Sequence, residues 1–173
     1  MNRTNRRRAG FSLAELAVAA AMMAALTTAS FVLVRTANDA WQRHRDDATQ
    51  RHDALAALQH IVRRVRQGAQ VIEISAPADL SGRLVVQKAD GTIETWDHDA
   101  GAGRIHYGAI APTDLLAEGV DQAWFVGLSA DGVTPTTDPA KIHAVRCAVR
   151  YPLNRPTGPA SESVSCVAWL RAG

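Results

Sequence analysis

Apolar and polar positions divide this chain into three stretches of different period. From Leu16 to Val34, nineteen residues carry no charge, and from Phe11 to Val34 the one charge among 24 residues is Glu15. At 1.5 Å per residue the longer stretch makes a helix of about 36 Å, enough to cross a bilayer core of about 30 Å. Beyond Arg35, apolar residues recur at helical spacing. Trp41, Ala48, Leu55 and Val62 are seven apart, and Leu58 and Val65 follow three after the last two. This predicts an apolar stripe, strongest over 55–65, on a helix whose other faces carry Arg43, Arg45, Asp46, Asp47, Arg51, Asp53, Arg63, Arg64 and Arg66. Gly68, just past those last cations, is the expected C-terminal stop. The pattern predicts a nearly continuous helix from Ser12 to Gln67, on the order of 80 Å long, with its first half in lipid and its second half across a sheet.

After Gly68 the period shifts toward two. Val71–Ile74 reads as a short strand broken at Ala76-Pro77. Leu84–Lys88 and Thr92–Trp96 flank the hairpin signal Ala89-Asp90-Gly91. Arg104–Tyr107 adds a strand after Gly101-Ala102-Gly103, and Leu115–Leu128 forms the next apolar stretch. Ile142–Tyr151 and Ser163–Leu170 read as two strands joined by a Pro/Gly/Ser-rich loop, Pro152–Ser161. If these form an antiparallel hairpin, pairing Cys147 with Cys166 puts Tyr151 opposite Glu162 and leaves a loop of about ten residues. Both cysteines then lie on one face, within reach of a disulfide if they form a non-hydrogen-bonded pair. The disulfide is the expected state, and two buried thiols in a core the alternative. The fold class is α+β: a long N-terminal helix on a small, mainly antiparallel C-terminal sheet.

Charge sharpens the division. The formal net charge is +2, yet the four arginines Arg3, Arg6, Arg7 and Arg8 precede the apolar run, and the rest of the chain holds 15 basic against 17 acidic residues. Residues 68–173 alone hold 8 basic and 12 acidic. That balance offers no bulk attraction for nucleic acid. Arginines before the apolar run predict a cytoplasmic N-terminus, with residues 35–173 outside that membrane. An extracytoplasmic location permits disulfide formation.

Three origins fit such a segment. It can be a cleaved secretory signal cut near Ala29-Ser30 or Ala37, a plain signal anchor, or a processed assembly helix. Glu15 separates them. A carboxylate at the centre of an apolar helix costs about 2.5–3.5 kcal/mol, less near an end, and a signal peptide has no use for it. Ser12-x-x-Glu15 is also a capping box, and an acidic first turn suits the helix dipole. The run Gly10-Phe11-Ser12-Leu13-Ala14-Glu15-Leu16 resembles the type IV pilin and pseudopilin family. The resemblance implies cleavage between Gly10 and Phe11 by a prepilin peptidase, N-methylation of Phe11, and a Glu15 kept within the bilayer, where it meets the Phe11 amine of a neighbouring subunit. It divides the chain into a leader (1–10), a transmembrane assembly helix (11–34), an extracytoplasmic helical half (35–68) and a β-rich head (69–173). The membrane helix has no proline, unlike the major-pilin pattern; the first proline is Pro77.

A looser likeness covers the head. Leu115-Leu116-Ala117-Glu118-Gly119-Val120, then Ala123-Trp124-Phe125, a polar loop and Ile142-His143-Ala144-Val145-Arg146 look like the region before the last strands of J-type minor pseudopilins of type II secretion and W-type minor pilins. The resemblance implies a structural subunit at or near the tip of a secretion pseudopilus. Its partners would be prepilin peptidase, sibling subunits, an inner-membrane assembly platform and lipid, with no nucleic acid. It would have no enzyme activity and no cofactor, and would reside in the inner membrane and then in a periplasmic fibre. The alternatives are a minor subunit of a type IV pilus and a secreted protein with an ordinary signal peptide.

No catalytic constellation stands out. Gly127-Leu128-Ser129-Ala130-Asp131 lacks the closing glycine of a nucleophile elbow, and Gly101-Ala102-Gly103 lacks the third glycine of a dinucleotide loop. His44, His52 and His60 are eight apart, which rotates each by about 80° from the last and precludes a shared metal. Asp97-His98-Asp99 reads as a polar turn, and Trp124, Phe125 and Trp169 as core or subunit-contact residues.

Overall fold

The computed structural model describes residues 12–155 and 158–171. One helix, α1 (Leu13–Val65), leads into eight strands: β1 (Gly68–Ile74), β2 (Arg83–Lys88), β3 (Ile93–Asp99), β4 (Arg104–Gly108), β5 (Asp114–Glu118), β6 (Gln122–Leu128), β7 (Ala144–Arg155) and β8 (Gly158–Trp169). A 3-10 turn, Pro139–Lys141, precedes β7. The chain is thus α+β, and it divides into two compact units, one up to His44 and one from Arg45 onward. In the first unit the described residues are helical from Leu13, and all of them from Ser12 to Asp39 are exposed.

In the second unit the last turns of α1 bury Ala54, Ala57, Leu58, Ile61, Val62 and Val65. Spacings of three and four keep these residues on one face. The expected seam is met only at its C-terminal end: Leu55 is half-buried, Ala48 exposed, and Trp41, in the first unit, 72% exposed.

The single expected sheet is two. A five-stranded sheet runs β1-β2-β3-β4-β5 and a three-stranded one β6-β7-β8, with every strand ladder antiparallel. The stretch Leu115–Leu128 divides between them. Gly119, at φ 70°, ends β5, and the Asp121 N–H then bonds Arg150 O, which carries the chain into the second sheet. Leu84, Val86, Trp96 and Ile105 from the first sheet share one core with Phe125, Val145, Val149 and Tyr151 from the second and with the buried face of α1. Each such side chain contributes about 1.5–3 kcal/mol by leaving water.

Gly68 does follow the helix, but its φ is not positive. It is buried as the first residue of β1, and a Cβ there would collide with Val86 Cγ1. Close approach, not a left-handed cap, accounts for this glycine. The turn at Gly91 is as expected: φ is 85° and Asp90 accepts the Thr92 N–H at 2.8 Å.

The Pro152–Ser161 segment is not a loop. The β7–β8 ladder continues through Pro152↔Ser161 and Asn154↔Pro159 to Arg155↔Gly158. Leu170 N–H bonds His143 O, the next pair in the same unbroken register, which makes His143/Leu170 a hydrogen-bonded pair. Alternation then places Pro152 and Pro159 at non-hydrogen-bonded positions, where the missing N–H costs the β7–β8 ladder nothing. Pro152 also lies beyond the end of the β6 pairing at Arg150. Prolines that read as loop punctuation are accommodated by ladder parity.

Candidate functional site

Gly10 and Phe11, the expected cleavage pair, lie outside the described residues. Glu15 sits in the first turn of α1. Its Oε2 accepts the Ser12 N–H at 2.9 Å, and Ser12 Oγ accepts the Glu15 N–H at 3.2 Å. This is the reciprocal capping box, which satisfies two otherwise free donors at the helix start. Along the apolar segment the hydroxyls of Thr27 and Thr28 donate to Met23 O and Ala24 O, and just past it Thr36 donates to Val32 O. Such i−4 bonds satisfy hydroxyls within the helix, as a hydrocarbon environment demands. The helix is long and apolar enough to cross a membrane. Leu16, Met22, Met23, Leu26, Phe31 and Leu33 are each more than 60% exposed, an apolar surface that nothing described in the chain covers.

Cys147 and Cys166 are directly paired across β7 and β8, and Tyr151 pairs with Glu162, as the hairpin alignment predicts. Both thiols are free. The parity that accommodates the prolines puts Cys147/Cys166 at a hydrogen-bonded position, so the condition set for an easy bridge is not met. Cys147 is buried and its thiol pKa is pushed up, first by burial and then by Cys166.

The remaining candidates separate in space or serve the turns. Asp131 accepts from Ser129 Oγ, the Val133 N–H and both the N–H and hydroxyl of Thr134. Those bonds hold its carboxyl far below the usual range and fix the 129–134 turn. Asp97-His98-Asp99 is not a turn but the end of β3: Asp99 there accepts the Gly101 and Ala102 N–H groups of the turn that follows, and His98 is buried with its Nε2 3.0 Å from Val120 O. Phe125 is core, while Trp124 is half-buried with the Arg150 guanidinium 6.0 Å from its ring centre. Trp169 is 51% exposed and lies against Gly132. Among the described residues no group of three or more His, Cys, Asp or Glu side chains is arranged to hold a metal.

One polar cluster escaped the sequence. Glu94 faces inward on β3 with its side chain only 4% exposed. Its Oε1 receives Lys88 Nζ at 2.7 Å, Arg64 Nη1 at 2.8 Å and Tyr107 Oη at 3.1 Å. Arg64, expected on a solvated helix face, instead ties α1 to the sheet. Burial and then Glu94 raise the Tyr107 hydroxyl pKa. His60 stacks edge-on against Tyr107 at 4.7 Å. The missed signal was strand alternation: Glu94 is two residues before Trp96, hence on the same face.

His60 has its pKa lowered by burial, then by Arg64 and Arg63, with Glu94 opposing. The unfolded chain therefore binds the proton more tightly. Stability should be flat above the ordinary histidine value of about 6.5 and fall as pH drops through it. Denaturant midpoints measured from pH 7.5 to 5 should show this decline, and His60→Gln should flatten it. An unchanged slope in the variant would assign the decline to other groups.

The chain matches no protein-family model, no curated protein and no solved structure.

Proposed function

We propose that this chain is a minor prepilin-like structural subunit, trimmed between Gly10 and Phe11 and packed through its apolar helix into a type II secretion pseudopilus, at or near its tip. One observation carries the reading: the exposed apolar part of α1, up to Val34 and of membrane-spanning length, bears a single carboxylate, Glu15, at its start, five residues past Gly10. The positive leader orients the N-terminus to the cytoplasm and the head to the periplasm. Cleavage would expose the Phe11 amine four residues before Glu15, about 6 Å along a helix axis. Pairing with an amine on an adjacent subunit offsets the cost of a carboxylate in lipid and sets the axial register. The capping box is compatible with this role, because it occupies only one carboxylate oxygen.

Mass spectrometry of the mature N-terminus tests the proposal. N-methylated Phe11 supports it; a mature start near Ser30 or Ala40 identifies an ordinary secreted protein instead. A Glu15→Ala variant should be cleaved normally yet be recovered from sheared fibres at a small fraction of the wild-type level. Normal incorporation would remove Glu15 from the assembly step. A minor subunit of a type IV pilus has the same processing and is separated by whether deletion abolishes secretion or piliation.

A further inference from the structure

Cys147 lies on the central strand of the three-stranded sheet and Cys166 opposite it on the edge strand. The ladder is unbroken from Ala144↔Trp169 to Arg155↔Gly158, and the Leu170 N–H to His143 O bond fixes its parity. The pair is therefore hydrogen-bonded, with Cα atoms about 5.5 Å apart, inside the span that a disulfide bridges. Directly opposed Cβ atoms at such a site stand about 5.5 Å apart, whereas a relaxed disulfide brings them to about 3.8 Å. Closing the bond would draw the strands together against their own ladder. Strain of that kind makes a disulfide easier to reduce.

Access differs as sharply as geometry. Cys147 is fully buried in the core shared with Val145, Val149 and Ala168, while Cys166 is partly exposed, its Sγ 3.7 Å from Val167 O. An external reagent reaches Cys166 first.

We propose that Cys147 and Cys166 form a reversible dithiol–disulfide pair, in which Cys166 captures an external disulfide and Cys147 resolves it. The Cys166 thiol loses its proton, and the thiolate attacks one sulfur of a donor R–S–S–R. A Cys166–S–S–R bond forms, the donor S–S bond breaks, and the departing RS⁻ takes up the proton. Cys147 then loses its proton and attacks Cys166 Sγ, expelling the second R group as RSH. The protein is oxidised by two electrons and one donor disulfide is reduced to two thiols. Burial disfavours the Cys147 thiolate, so resolution is the slower step. The closed bond would fasten β8 to β7 just before the point where Arg171 N–H bonds Gly68 O at the start of β1. None of this rests on the assembly reading; it requires only that the chain meet a disulfide donor.

The test uses the full-length reduced chain in detergent, oxidised glutathione as donor, acid quenching, alkylation and peptide mass spectrometry. A glutathione adduct on Cys166 should appear first and give way to a Cys147–Cys166 cross-link. Reduced glutathione without denaturant should return both thiols. Cys147→Ser should stall at the Cys166 adduct, and Cys166→Ser should leave Cys147 unmodified until the protein is denatured. The wild-type time course needs no variant to fold. The proposal is overturned by a persistent Cys166 adduct without cross-link, by an adduct first on Cys147, or by a cross-link that survives reduced glutathione until unfolding.

Discussion

A Glu94→Leu variant should lose about 3–5 kcal/mol of stability, the range for breaking a buried charge pair by removing one partner. The substitution strands Lys88, whose side chain is 16% exposed, and removes the acceptor of Tyr107 Oη. Arg64 is 36% exposed and can swing into water, which places the expected loss toward the lower end. The cause is desolvation: three donors converge on one carboxylate oxygen, and two of them, Lys88 Nζ and Tyr107 Oη, do not regain full hydration when it goes. A triple variant, Glu94→Leu with Arg64→Met and Lys88→Met, should recover most of the loss, because an apolar replacement of the whole set leaves no charge behind. Denaturant titration of the full chain in detergent, read by tryptophan fluorescence, measures both. A single-variant change within about 0.5 kcal/mol, the range of ordinary surface substitutions, would show that the cluster does not hold the helix to the sheet.

That cluster also shows where sequence reading stops. Periodicity made the helix, the Asp90-Gly91 hairpin and the Cys147↔Cys166 register legible, because each depends on near neighbours or on strict alternation. The partition of eight strands into two sheets was not legible. It turns on Gly119 and on where β6 finds a partner, a long-range choice that no local period encodes. Pro152 and Pro159 signalled a loop because residue type does not reveal ladder parity. Trp41 and Ala48 fitted a heptad, but which face of a helix is covered depends on the placement of the sheet. Arg64 looked like one of many solvated arginines until Glu94 met it across 30 residues of chain. At the N-terminus Glu15 was legible for the opposite reason. A carboxylate among apolar residues is conspicuous whatever the fold, and its capping contacts are local.

Trp96→Ala should cost about 3–5 kcal/mol, the range for truncating a buried aromatic. Trp96 has no exposed surface and heads the fully buried side chains by volume. Its ring lies 5.5 Å from Tyr107 and 6.5 Å from His60 of α1, so it is one of the contacts through which helix and first sheet share a core. Leu84, its partner across the β2–β3 ladder, and Ile105 of β4 cannot collapse into the space, because β2 and β4 are each held by ladders on both sides. Trp96→Phe should cost much less. It keeps an aromatic ring and removes Nε1, a buried donor with no hydrogen-bond partner, and loss of an unsatisfied group offsets part of the lost packing. The two substitutions therefore separate volume from polarity at one site. They also bear on the assembly reading, because the leader and the capping box belong to the other unit. Precursor carrying Trp96→Ala should still be cut at Gly10 while its head unfolds at lower denaturant. Loss of cutting in that variant would mean that processing depends on a folded head, and recognition confined to the leader would then fail.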